Sequence, residues 1–189
     1  MYAVDGRDKV VRLDEMPQSD DGAPMPLVIS DEGRVVVAYY GVSQSPQWDA
    51  FARLVDPVGG NDPIAVVRFI DYSSYMFGAP NDEAFSGHPL ASRGLKPYGA
   101  FRIEDSSWIR NLEAMNSVHP GHDASGYQRL KHLVLSFHDT TFECVCAAFD
   151  VRTARGSIHA LIPTMARLLY SDRWKTPVPP RPLGEVMRG

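Results

Sequence analysis

The alternation of apolar and polar side chains is clearest between Leu130 and Asp150, where two β-patterned runs meet at Asp139-Thr140. Successive strand residues point to opposite faces, so Leu133, Leu135 and Phe137 share a side with Phe142, Cys144 and Cys146. That side is apolar throughout and reads as a core face. The pattern predicts a hairpin in which Phe137 faces Phe142, Leu135 faces Cys144 and Leu133 faces Cys146. The other side carries His132, Val134, Ser136 and His138 against Thr141, Glu143, Val145 and Ala147. In this register Ser136 lies across from Glu143, and His138 is its diagonal neighbour.

Further β-patterned runs occur at Lys9–Leu13, Leu27–Ser30, Arg34–Tyr40, Ile64–Ile70 and Tyr98–Glu104. The second and third flank Asp31-Glu32-Gly33 and read as a hairpin. Ile64–Ile70 is almost continuously apolar and β-branched, as suits a strand covered on both faces. Helical spacing of apolar residues appears three times. Trp48, Phe51, Ala52 and Val55 suggest a short helix within 46–55; Ile109, Leu112 and Met115 follow a cap at Asp105 or Ser106 and predict a helix over 106–118. Met165, Ala166, Leu168 and Leu169 follow Ser157 as cap and Pro163 as a first-turn residue. The elements predict an α+β fold: a mostly antiparallel sheet of about six or seven strands with two or three helices. Residues 1–172 form the expected single domain, and the Pro-rich stretch within 173–189 reads as an extended tail.

Composition changes this picture little. The chain has 189 residues, 44% hydrophobic and 22% charged, close to globular averages. A formal net charge of −4 with no long basic run argues against nucleic acid as a partner. No apolar run approaches the ~18 residues of a membrane span, and the first residues lack a secretion signal, so a cytoplasmic location is expected. The two cysteines, Cys144 and Cys146, are too close for an unstrained disulfide and too few for a zinc site, and read as small core residues.

The candidate chemistry lies in two places. Glu143 and His138 form a possible acid/base pair, the carboxylate fixing the imidazole tautomer. The ordinary alternative is that these groups face water or satisfy nearby backbone. Residues 78–97 are the second place, a stretch too long for a simple connection, and long loops on rigid scaffolds often carry function. They bring Asn81, Asp82, Glu83, His88 and Arg93, of which Asn81, Glu83, His88 and Arg93, with Ser136 from the hairpin, form a candidate ligand-binding set. Asn81-Asp82 as a helix cap and His88 as a structural residue are the plainer readings. His119 and His122 flank a turn with no third ligand implied. No phosphate loop, dinucleotide fingerprint, zinc-protease helix or nucleophile elbow is present, so neither a cofactor nor a metal is expected.

Met76–Leu90 (MFGAPNDEAFSGHPL), Ser106–Ile109 and Phe137–Cys144 (FHDTTFEC) resemble a family of bacterial soluble proteins to which no activity is attached. The likeness spans most of the chain. It implies bacterial, cytosolic character and supplies no functional residues. The sequence therefore supports a non-enzymatic module binding a small molecule or a protein, with a cofactor-free hydrolase or isomerase using a His/Glu pair as the alternative.

Overall fold

The computed structural model describes residues 2–21, 25–42 and 55–170. The helix read within 46–55 falls mostly outside these residues, and the Pro-rich tail wholly so. Seven antiparallel strands form one sheet: β1 (Lys9–Arg12), β2 (Leu27–Ser30), β3 (Arg34–Tyr40), β4 (Asp62–Gly78), β5 (Gly99–Glu104), β6 (Lys131–Ser136) and β7 (Thr141–Gly156). Their spatial order is β1-β5-β6-β7-β4-β3-β2. Among the described residues three helices, α1 (Ser107–Asn116), α2 (Ala124–Gln128) and α3 (Ile158–Tyr170), accompany this sheet in an α+β fold.

β4 and β7, 17 and 16 residues long, are hydrogen-bonded along almost their whole length and shape the molecule. Their register shifts between Tyr72 and Ser74, next to Asp71 at φ 49°. A bulge of this kind bends a strand and sharpens its twist. Below it, Ile64–Ile70 pairs with β3; above it, β7 pairs with β6. The sheet folds over on itself about this bend, as strands shared between two packed layers do. Tyr39 of β3 and Phe137 after β6 have ring centroids 5.3 Å apart although two strands separate them in the sheet. The inner space holds Val35, Val37, Val67, Phe69, Leu133, Leu135, Phe142, Cys144 and Cys146, all buried.

Each outer face has its own cover. Over β3 and the first half of β4, α3 lays Ile158, Met165 and Leu169 on Val36, Ala38, Ile64 and Val66. Over β5 and β6, the 79–98 connection lays Phe85, Leu90 and Leu95 on Phe101, Ile103 and Val134. Among the described residues no helix is long and apolar enough to cross a membrane.

Several expectations need correction. The late hairpin pairs Leu135 with Phe142, Leu133 with Cys144 and Ser136 with Thr141, a register two residues away from the predicted one. The turn is Phe137–Thr140, closed by the Phe137 N–H donating to the Thr140 carbonyl at 2.9 Å. A two-residue shift leaves every side chain on its face, so the core face is as read; Glu143, however, lies across from Val134 and not Ser136. The outer side is buried, not open to water: His132, Ser136, Thr141 and Glu143 are all at most 4% exposed. Pro163 is the sixth residue of α3 and not in its first turn, because the helix starts at Ile158, with Ser157 Oγ accepting from the Ala160 N–H.

Candidate functional site

Residues 79–98 connect β4 to β5 through two 3-10 turns, Phe85–Gly87 and Ala91–Arg93. The segment begins on the late hairpin: the Asp82 N–H donates to the His138 carbonyl at 2.9 Å, and Thr141 Oγ1 donates to the Pro80 carbonyl at 3.0 Å. Asn81 Oδ1 accepts from the Ala84 N–H at 3.0 Å and so starts the first turn. The connection then crosses the outer face and inserts His88 beneath itself.

His88 meets Glu143 there. Its Nδ1 accepts the Leu90 N–H at 3.1 Å, which places the ring proton on Nε2, and Nε2 donates to Glu143 Oε1 at 3.1 Å. From β6, His132 Nε2 reaches Glu143 Oε2 at 3.0 Å. Its tautomer is fixed in the same way. Ser106 Oγ accepts the Ile109 N–H as the cap of α1, so its own proton goes to His132 Nδ1 at 2.8 Å. The Tyr2 hydroxyl supplies a third donor to the carboxylate, 2.6 Å from Oε2.

The cluster is sealed. Side-chain exposure is 0% for both imidazoles and 4% for Glu143. Trp108 closes one side, its ring stacked on Tyr2 at 5.1 Å and edge-on to His132 at 5.1 Å. Burial pushes the Glu143 carboxyl up, but hydrogen bonds from His132, His88 and Tyr2 outweigh that effect and hold it at about 2. Burial, followed by the neighbouring Glu143 charge, pushes the Tyr2 phenol far above its ordinary value. A buried carboxylate with three donors is an assembly that fastens β6, β7, the 79–98 connection, the α1 cap and the first described residues to one point.

His138 is not part of it. The structure does not bring His138 to Glu143; it pairs His138 Nδ1 with Asp82 Oδ2 at 3.0 Å and the Tyr98 hydroxyl at 3.0 Å. The Tyr98 hydroxyl also donates to Asp82. The imidazole stacks on the Tyr98 ring, stays 40% exposed, and turns Nε2 toward Asp139 Oδ1 at 3.9 Å. Tyr98 has φ 59°, in the left-handed region, where a bulky side chain costs ~1–2 kcal/mol. Its two hydroxyl contacts oppose that cost. The hydrogen bond from Tyr98, with further help from the Glu83 N–H and His138, lowers the Asp82 carboxyl.

The candidate ligand set does not converge. Ser136 Oγ donates to the Lys96 carbonyl at 2.9 Å and accepts the Gly99 N–H at 3.1 Å, tying the end of the connection to β6. His88 is inside, Asn81 opens the first turn, and Arg93 Nη1 donates to the Gly6 carbonyl at 3.1 Å. Glu83 is exposed. His119 and His122 also separate, His122 bonding Glu113 at 2.8 Å and Asn116 at 3.1 Å. No set of three or more potential metal ligands groups together among the described residues. A shallow surface depression lined by Asp31, Glu32, Gly33, Arg34 and Tyr170 contains none of the candidates.

Sequence reasoning missed Tyr2 and His132 as partners of Glu143, and Ser106 as the partner of His132. His132 was within reach: it lies on the same strand face, and the correct register makes it the diagonal neighbour. No local pattern marks Tyr2, which is 141 positions from Glu143. No family model, no curated protein and no solved structure matches the chain, so the roles of these residues rest on their own geometry.

Proposed function

We propose that the chain is a non-enzymatic binding module whose recognition surface is the outer side of the 79–98 connection. The observation that carries this reading is the division of that segment into two sides. Phe85, His88, Leu90 and Leu95 are buried against the sheet, while Glu83, Ser86, Ser92, Arg93 and Lys96 are exposed. A long polar segment fixed from beneath, by apolar packing and by the His88–Glu143 contact, presents its outer groups with little ordering left to do on binding. The mixture of one acidic, one guanidinium, one ammonium and two hydroxyl groups suits a polar partner.

The test compares wild type with the double variant Glu83→Lys/Lys96→Glu, which changes two exposed side chains and leaves the Arg93 contact to the Gly6 carbonyl in place. Thermal midpoints are measured against a metabolite panel, and co-purifying proteins are compared between the two forms. The reading expects at least one stabilising compound or retained protein that is lost in the variant, whose unliganded midpoint stays close to wild type. Identical responses from both forms would remove it.

A second reading, a cofactor-free hydrolase or isomerase, is favoured by one observation: Asp82 holds Nδ1 of a partly exposed His138, as the orienting carboxylate of a general acid/base pair does. Its pair is then His138 with Asp82, and Glu143 is not involved. His138→Gln abolishing a turnover that Asp82→Asn reduces would support it. Turnover unchanged in both variants would end it.

A further inference from the structure

We propose that the space filled by the Tyr2 ring, between Trp108, His132 and Glu143, is a binding site for an aromatic hydroxyl ligand, and that residues 2–8 form a strap that fills it by default and yields to such a ligand. The chemistry of the site selects that class. Trp108 offers a flat face 5.1 Å from the Tyr2 ring centroid with the planes 6° apart, and His132 offers its edge at 5.3 Å with the planes at 82°. At the closed end Glu143 Oε2 receives a hydroxyl proton at 2.6 Å. An aromatic ring carrying an O–H satisfies all three; an apolar ring satisfies only the first two.

Neither imidazole can take over the third donor's place. His88 Nδ1 is committed to the Leu90 N–H and His132 Nδ1 to Ser106, so each ring has one proton for the carboxylate and no freedom to rearrange. If Tyr2 leaves, the buried carboxylate lacks a donor until another hydroxyl arrives.

The strap is attached in a way that allows it to leave. Strand pairing begins only at Lys9. Ahead of it Ala3, Asp5, Gly6 and Arg7 are exposed, and the attachments run through side chains: Tyr2 itself, Asp5 Oδ2 to Arg110 Nη2 at 2.6 Å, and Arg93 to the Gly6 carbonyl. Apart from the Tyr2 contacts and the Val4 side chain packed on the outer core, these are one surface ion pair and one hydrogen bond, each weak in water. Asp8, buried and bonded to the Ser107 N–H at 2.7 Å, is the fixed end on which the strap turns. This site meets the outer surface of the 79–98 connection only at Arg93 and does not rest on that reading.

The probes are p-cresol, which reproduces the Tyr2 side chain, and toluene, which has the same ring without the hydroxyl. In the full chain carrying Tyr2→Ala, p-cresol at about a hundred times its Kd raises the thermal midpoint by about 5–10 °C, with toluene at least about tenfold weaker. In wild type, p-cresol speeds amide hydrogen exchange over residues 2–8 and leaves β6 unchanged. Equal effects of the two probes on the variant, or no effect of either, overturn the site. Unaltered exchange at residues 2–8 in wild type overturns the strap, and that measurement decides the matter alone if Tyr2→Ala does not fold.

Discussion

Replacing Glu143 by glutamine changes one oxygen into an NH2 group and removes one charge, at almost constant volume. The Glu143 carboxylate accepts from Tyr2 and His132 on Oε2 and from His88 on Oε1. Glutamine keeps one oxygen. Turned toward Tyr2 and His132, it presents its NH2 to the His88 Nε2–H, donor against donor. His88 cannot change tautomer to relieve this, because Nδ1 would then carry a proton facing the Leu90 N–H. One buried donor is left unsatisfied, at ~1–3 kcal/mol, and the two retained bonds lose their charge assistance, at roughly 1 kcal/mol each. Relief of the desolvation of a charge opposes these losses, so we expect a net destabilisation of ~3 kcal/mol. The same contacts expressed through linkage, a carboxyl held at about 2 against an ordinary 4.5, correspond to about 3 kcal/mol at ~1.4 kcal/mol per pH unit.

For a chain of this size the loss lowers the melting midpoint by about 6–12 °C at neutral pH. Linkage gives a second signature. Because the folded state depresses this carboxyl, the unfolded chain binds more protons between pH 4.5 and 2, and stability falls with pH in that window. The difference between wild type and Glu143→Gln is therefore full above pH 4.5 and shrinks as pH falls toward 2. Urea unfolding of both proteins at pH 7, 4 and 3 measures it. A difference below ~0.5 kcal/mol at pH 7, the usual range for a surface substitution, refutes the idea that Glu143 fastens the layers together.

Ser106→Ala removes both the α1 cap and the donor to His132 Nδ1, and should cost ~2 kcal/mol by chemical denaturation, at the upper end for a lost cap. Ser106→Gly should recover little of this, because the imidazole nitrogen stays unpaired. Cys144 and Cys146 lie fully buried in the inner core, and burial raises the Cys144 thiol well above its ordinary value. A thiol-specific reagent should label neither in the native protein and both in denaturant; rapid native labelling would contradict the packing between the folded layers.

What the sequence made legible follows from the distance over which each signal acts. The 27–40 and 130–150 hairpins and the cap at Ser106 are encoded by neighbours a few positions apart, and alternation or capping chemistry records them directly. The second half of β4 is different. Polar residues among Tyr72, Tyr75 and Phe77 break the apolar run, and the bulge between Tyr72 and Ser74 resets the alternation, so by pattern the strand stops at Ile70. Tyr72 and Tyr75 belong to strand because the folded-over sheet gives their rings and hydroxyls partners, Tyr72 bonding the Asp31 carbonyl at 2.6 Å and Tyr75 the Ser30 hydroxyl at 2.7 Å. The Asp82–His138 pair and the His88–Glu143 pair have the same origin in long-range docking.

The misread register shows why a buried polar assembly has structural value beyond its energy. A one-residue slip of β6 against β7 would turn His132 and Ser136 into the inner core and expose Leu133 and Leu135 on the outer face, and the apolar pattern alone forbids it. A two-residue slip keeps every face intact. Apolar alternation is blind to it, which is why Phe137 seemed a natural partner for Phe142. Side-chain geometry is not blind. In the observed register His132 is one diagonal step from Glu143, and Ser136 bonds the Lys96 carbonyl while accepting the Gly99 N–H. Sliding β6 by two residues carries His132 some 7 Å along the strand, at ~3.4 Å per residue, away from the Ser106 hydroxyl; it brings Ser136 and His138 beside Glu143 only by taking Ser136 off the Lys96 carbonyl and the Gly99 N–H and His138 off Asp82. The oily face makes the hairpin; the polar groups on its other side choose which of the permitted registers it adopts.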